Sequence, residues 1–172
     1  KDRDLEDLEE CILVLEKEDV RQQFELSFRK FAKLMDIVLP DPYANRYLRD
    51  LKLLGKIVHG ARNTYRDEQL NIIDAGEKVK KLIEENILAS GVDPKIPPIN
   101  LLDPKFKEEV AKTENPKMRA VEIKNAIRHH ITVSFNDDPA YYRKLSERLE
   151  EIIQKYYDNW EEQARQLLLF KE

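Results

Sequence analysis

The sequence predicts an all-α fold: a multi-helix bundle of long amphipathic helices with one proline-rich extended strap. Three observations predict it. Apolar residues recur at steps of three and four, as in Tyr141, Leu145, Leu149, Ile152, Tyr156 and Trp160, the period of a helix with one buried face. Proline follows a capping side chain at Asn115-Pro116 and Asp138-Pro139. That pairing opens a helix, because its first N–H groups have no partner inside it and a missing one costs nothing. Glycine is scarce, four in 172 residues, which disfavours a turn-dense β fold and a glycine-rich phosphate loop. The length suits one helical domain, 1–172, with a core of its own.

Residues 1–18 read as an acidic amphipathic helix, expected to be a linker helix from a preceding domain. Leu5, Leu8, Ile12 and Leu15 form its apolar face. Asp2, Asp4, Glu6, Asp7, Glu9 and Glu10 load its first turns, where the helix dipole favours negative charge. Residues 19–39 place Val20, Phe24, Phe28, Phe31, Met35 and Val38 on one face, and the phenylalanine row reads as core rather than as a cofactor slot. Pro40-Asp41-Pro42 ends that helix, since a residue before proline is pushed out of the α region. A long helix follows over 43–65, with Leu48, Leu51, Leu54, Val58 and Ala61 in line. Gly55 and Gly60 lie inside it, at a cost in helix stability, and admit close approach of a neighbouring helix.

A fourth helix is expected over 74–90, with Val79, Leu82, Ile83 and Ile87 inward and Gly91 as its stop. Residues 92–102 hold three prolines and cannot be helical. They form the extended strap, pinned by Ile96, Ile99, Leu101 and Leu102, with short strand pairing left open. Asp103-Pro104 starts a short helix that includes Phe106 and Val110. From Pro116 the stripe Ala120, Ile123, Ile127, Ile131 runs to the joint at 136–139, where it folds against the stripe from Tyr141 as a helical hairpin. The last helix is expected to run on through Ala164. Its apolar tail, Leu167 to Phe170, is expected to need a further cover.

Composition bounds the function. Charged residues make up 37% and hydrophobic ones 41%, which fits neither a disordered nor a membrane-spanning chain. No apolar run reaches spanning length and no signal sequence opens the chain, so no membrane contact is expected. Cys11 has no partner for an internal disulfide and suits a reducing, cytoplasmic setting. The net charge of -4 disfavours a free-standing nucleic-acid binder. The chain opens on Lys1, not Met, and is expected to be a piece of a longer polypeptide.

The candidate chemistry is thin. His129 and His130 are adjacent, so on a helix they point about 100° apart, and His59 stands alone; ligands on one helix need a spacing of three or four. The triplets Asp50-Leu-Lys52 and Glu122-Ile-Lys124 have the acidic-x-Lys form of a metal-dependent nuclease. Both lie in helical patterns, where residues two apart face different ways. Gly55-x4-Gly60 is followed by Ala61-Arg62, which is no phosphate loop, and no serine has a nucleophile-elbow context. No catalytic, cofactor-binding or metal-binding residue is therefore assigned. The candidates for contact are basic: Arg46, Arg49, Arg62 and Arg66, off the apolar line, and the cluster Arg128, His129 and His130. Such groups can touch phosphates or pair with carboxylates of neighbouring helices or of a partner, and the negative net charge favours the second.

Four stretches together resemble a known family: 20–47, 61–87, 91–106 and, most specifically, 124–153, KNAIRHHITVSFNDDPAYYRKLSERLEEII. They are similar to the C-terminal helical region of the restriction (R) subunit of type I restriction-modification enzymes. The resemblance implies a parent subunit that is an ATP-dependent type I site-specific deoxyribonuclease. It would carry an endonuclease domain and two RecA-like motor lobes that translocate DNA with ATP and Mg. This region would then be a non-catalytic assembly and coupling module. It would dock the translocase onto the methyltransferase and specificity subunits and lie behind the motor domains of its own chain, with DNA reached through the full complex. The alternative is a DNA-contacting helical arm that supports translocation. No nuclease or motor motif matches a position in this sequence, so no catalytic residue carries over.

Overall fold

The computed structural model describes residues 3–68, 70, 75–93 and 97–170, with side chains from Leu8 onward. Among the described residues the chain is all-α, with no strand. The helices are α1 (Arg3–Val14), α2 (Glu18–Val38), α3 (Leu48–Tyr65), α4 (Glu77–Leu88), α5 (Phe106–Ala111), α6 (Pro116–Ser134), α7 (Pro139–Lys155) and α8 (Trp160–Leu168). Asp74, read as the start of the fourth helix, and Ile96 in the strap lie outside the described residues. The chain divides into two compact units: Lys1–Asn63 with Asp67–Pro97, and Thr64–Arg66 with Pro98–Glu172.

The first unit packs Phe28, Ala32, Met35, Leu51, Val58, Val79, Ile83 and Ile87 into one core, with Phe24 and Phe31 against it, so the phenylalanine row is core. Gly55 and Gly60 act as the sequence suggested. A Cβ on Gly55 would stand 2.5 Å from Cγ2 of Ile83, and one on Gly60 would strike Cδ1 of Ile12. Several boundaries differ from expectation; the fourth helix runs Glu77–Leu88 rather than 74–90. The first helix stops at Val14 rather than at 18. Its last turn tightens through Leu15 N–H to the Ile12 carbonyl at 3.0 Å. Arg21 then donates to the carbonyls of Leu15 at 2.9 Å and Glu16 at 2.8 Å, acceptors a continuing helix would have used itself. The third helix does not begin at Tyr43. A 3-10 turn, Pro42–Tyr47, comes first, because the Asp41 carboxylate accepts from the Tyr43 N–H at 2.8 Å and fixes a tight turn there. The glycine stop holds: α4 ends at Leu88, and Gly91, at φ +83, returns its N–H to the Leu88 carbonyl.

The second unit buries Phe106, Val110, Ala120, Ile123, Ile127, Ile131, Leu145, Leu149, Ala164, Leu167 and Phe170 together. The expected hairpin forms between α6 and α7. Asn115 accepts from the N–H groups of Lys117 and Met118, and Asp138 from that of Tyr141, each ahead of a proline at the first helical position. The last helix, expected to be continuous, is broken after Lys155. Asn159 accepts from the Glu162 N–H at 3.1 Å and caps a new helix. Fully buried Gln163 donates to the carbonyls of Ile153 and Tyr156, both at 3.2 Å, satisfying groups the break frees. Arg165 and then Gln166 hydrogen-bond the Glu162 carboxylate and hold it down to about 2. The apolar tail is mostly covered by its own unit: Leu167 and Phe170 are buried, the Arg148 guanidinium lies 5.3 Å over the Phe170 ring, and Leu169 alone of the four is exposed. In the strap, 92–93 and 97–102 carry neither helix nor strand. Ile99 and Leu101 pack on the core, whereas Leu102 faces outward. The short helix starts at Phe106, after Asp103 accepts from the Lys105 N–H at 2.8 Å.

Candidate interaction surfaces

The basic residues singled out by sequence fall in both units. Arg66 closes α3 in a left-handed backbone, φ 54, that side chains other than glycine rarely adopt. Its guanidinium donates to the carbonyls of Pro98 at 2.9 Å and Ile99 at 2.7 Å, thirty-two and thirty-three positions further on. These acceptors come from a strap with no ladder of its own. Burial pulls the Arg66 guanidinium below its ordinary value, while Glu122 on α6 works the other way. Glu122 in turn accepts from Thr113 Oγ1 at 2.8 Å, and Arg119 donates to the Thr113 carbonyl through Nε at 2.9 Å and Nη2 at 2.6 Å. Arg66 is thus a structural clamp in the second unit rather than an open cation.

Arg128 on α6 bridges to Glu150 on α7 at 2.6 Å, across the hairpin, with both side chains about half exposed. A pair in that setting contributes roughly 0.2–1 kcal/mol. His129 is exposed. His130 sets its ring edge-on to Tyr142, centroids 5.7 Å apart, and lines a cavity of about 410 Å³ between Leu101, Phe106, Ile127 and Phe170. In the first unit Arg46 lies over its neighbour, the Tyr47 ring, at 4.7 Å, and Arg49 and Arg62 are exposed. Buried His59 has Asn63 Nδ2 at 3.1 Å from its Nε2, so the amide donates and the ring nitrogen accepts. Burial, then the nearby Arg62 charge, lowers the pKa of His59.

The acidic-x-Lys triplets do not form clefts. Asp50 lies exposed on α3, Glu122 is tied to Thr113, and Lys124 is buried in α6. Among the described residues no group of three or more His, Cys, Asp or Glu side chains is placed to hold a metal ion, and no helix is long and apolar enough to cross a membrane.

One surface escaped the sequence reading. Opposite its buried face, α2 presents Leu26, Leu34 and Ile37 to solvent. The signal was present as a second stripe at helical spacing, obscured by the stronger phenylalanine row on the other side.

Geometry of this kind defines a class: an all-helical packing module, internally clamped, with basic and apolar groups left on its outer faces. Over residues 5–167 the chain matches the family described as Type I restriction enzyme HindI endonuclease subunit-like, C-terminal, and it belongs to that family. The resemblance read from the sequence is borne out. No curated protein and no solved structure matches the chain.

Proposed function

We propose that this chain is the non-catalytic assembly and coupling region of a type I restriction subunit, docking an ATP-dependent DNA translocase and endonuclease onto the methyltransferase–specificity core. The observation that carries the reading is the family match over residues 5–167, which covers nearly the whole chain and is to a C-terminal region of endonuclease subunits. Helices packed as two cores suit a brace between a motor and its partner. ATP and Mg belong, in this reading, to the parent subunit, and the setting is the cytoplasm. The test is a binding titration of the 172-residue chain against the assembled methyltransferase–specificity core. Saturable one-to-one binding is expected, and no binding at micromolar concentrations of both removes the reading.

A second reading, a DNA-contacting arm, is favoured by one observation. Arg46, Arg49 and Arg62 are exposed, and among the described residues none of them is in an ion pair with a carboxylate. It predicts duplex binding whose log affinity falls linearly with log salt. Absence of any mobility shift at low salt would exclude it.

A further inference from the structure

We infer that the outward face of α2 is the seat of an acidic amphipathic helix supplied by the partner protein. The inference rests on the docking reading above and names the chemistry of what docks. Its basis is a helix apolar on two sides. Phe28, Ala32 and Met35 are buried on the inner side, while Leu26, Leu34 and Ile37 are 56%, 61% and 72% exposed on the outer one. At 100° per residue these three fall within an arc of about 80°, so they form one stripe. At 1.5 Å per residue the stripe runs about 16 Å, the length of three turns of a helix laid alongside.

The charge around the stripe says what that helix must carry. Lys30 lies within its arc and Lys33 about 20° beyond its edge; both are exposed, and among the described residues neither is in an ion pair. The carboxylates of this half of α2 turn away from it. The Glu25 side chain is 13% exposed and paired with Arg29, and one oxygen of Asp36 is buried. A chain of net charge -4 thus offers, along residues 26–37 of this face, apolar side chains and only positive charge, the one carboxylate on the same arc being exposed Asp19, about two turns before Leu26. The complement is a helix with apolar residues three and four apart and Asp or Glu beside them. DNA would meet the same lysines but gives Leu34 and Ile37 nothing apolar to bury against, and two lysines fall short of the clusters of about four to eight basic residues that hold an anionic lipid surface.

The test uses the 172-residue chain, the purified methyltransferase–specificity core and two surface double variants, L34E/I37E and K30E/K33E, each checked for an unchanged circular dichroism spectrum and melting profile. L34E/I37E is expected to weaken core binding at least about tenfold. K30E/K33E is expected to weaken it several-fold and to flatten its salt dependence. A benzophenone cross-linker attached in place of Ile37, but not one in place of Lys81 on α4, should capture a core peptide of acidic, amphipathic helical pattern. If both variants bind like the unaltered chain, or the captured peptide is basic or lacks helical period, the α2 proposal falls and the docking reading stands. If the unaltered chain does not bind the core, both fall. Sedimentation showing a dimer that L34E/I37E dissociates assigns the face to a second copy, and uptake onto phosphatidylserine vesicles assigns it to a lipid surface; either result overturns the proposal.

Discussion

The two compact units hold their helices by different means. In the second, three of the four helix starts are secured by side chains, α5 being the exception: Asn115, Asp138 and Asn159 each accept from backbone N–H groups within the first turn. In the first, α2 and α4 begin at Lys17 and Gly76 with no side-chain cap, and cohesion comes from close approach at Gly55 and Gly60 instead. The surfaces differ as well. Among the described residues, ten of the sixteen large apolar residues left exposed belong to the first unit, from Val14 to Val92, and six to the second. A unit whose helices are individually terminated can complete its own core, as α8 does in taking up Leu167 and Phe170. A unit that relies on tight seams, with apolar side chains still outside, suits a role in which another protein finishes the burial.

The contrast can be broken by substitution. The largest effect is expected from Ile123→Ala, because Ile123 is fully buried in the second unit. The loss should be about 3–4 kcal/mol, read as faster amide exchange in α6, α7 and α8. Next is Gly55→Ala in the first unit. Helix propensity gains it up to about 1 kcal/mol. The new methyl meets Ile83 at 2.5 Å, and overpacking costs about 1–3 kcal/mol. Net destabilisation of α3 and α4 is expected, and the penalty of Gly55→Ala should vanish when it is measured against an Ile83→Ala background; additivity of the two would mean the seam is not tight.

Arg66 separates backbone from side chain. Arg66→Ala loses both strap hydrogen bonds and keeps the left-handed strain, for a cost of about 2–3 kcal/mol. Arg66→Gly loses the same bonds but relieves the strain, so it should be the milder by about 1 kcal/mol. Reversal of that order in chemical denaturation would show that the backbone carries no strain. The smallest effect concerns pH. Burial sets the folded pKa of His59 below 6.5. Between that folded value and 6.5 the unfolded chain binds more protons, so the contribution of His59 is complete above pH 6.5 and is lost as pH falls. The melting temperature of His59→Gln should therefore fall less between pH 7 and pH 5 than that of the unaltered chain.

Sequence made most of the framework legible, because caps and periodicity are local. Pro116 and Pro139 at first helical positions, Gly91 as a stop, and the stripe of Ala120, Ile123, Ile127 and Ile131 all act as their chemistry dictates. The break after Lys155 was hidden because Ile152, Tyr156 and Trp160 keep a period of four across it. The cue against it was Asn159 with Glu162 three residues on, an N-terminal capping pattern. The candidate contacts were less legible. Charge at helical spacing does not reveal its partner: Arg66 is engaged by carbonyls thirty-two positions away and Arg128 by Glu150 across a hairpin, both products of tertiary placement. The outward stripe of α2 was written in the sequence, but a helix apolar on two sides reads first as the side with the larger residues.

The Arg66 clamp also bears on chain length. One guanidinium ties residue 66 to residues 98 and 99, so the chain that leaves at Asp67 is brought back to the same knot after Pro97. Along that path α4 is fixed by Val79, Ile83 and Ile87 in the core of the first unit, so only the sequence outside that helix is free to change in length. Residues added or lost there leave the knot, and the register of the strap beyond it, where they were. Related chains should therefore vary in length on either side of α4 while conserving an arginine at the knot.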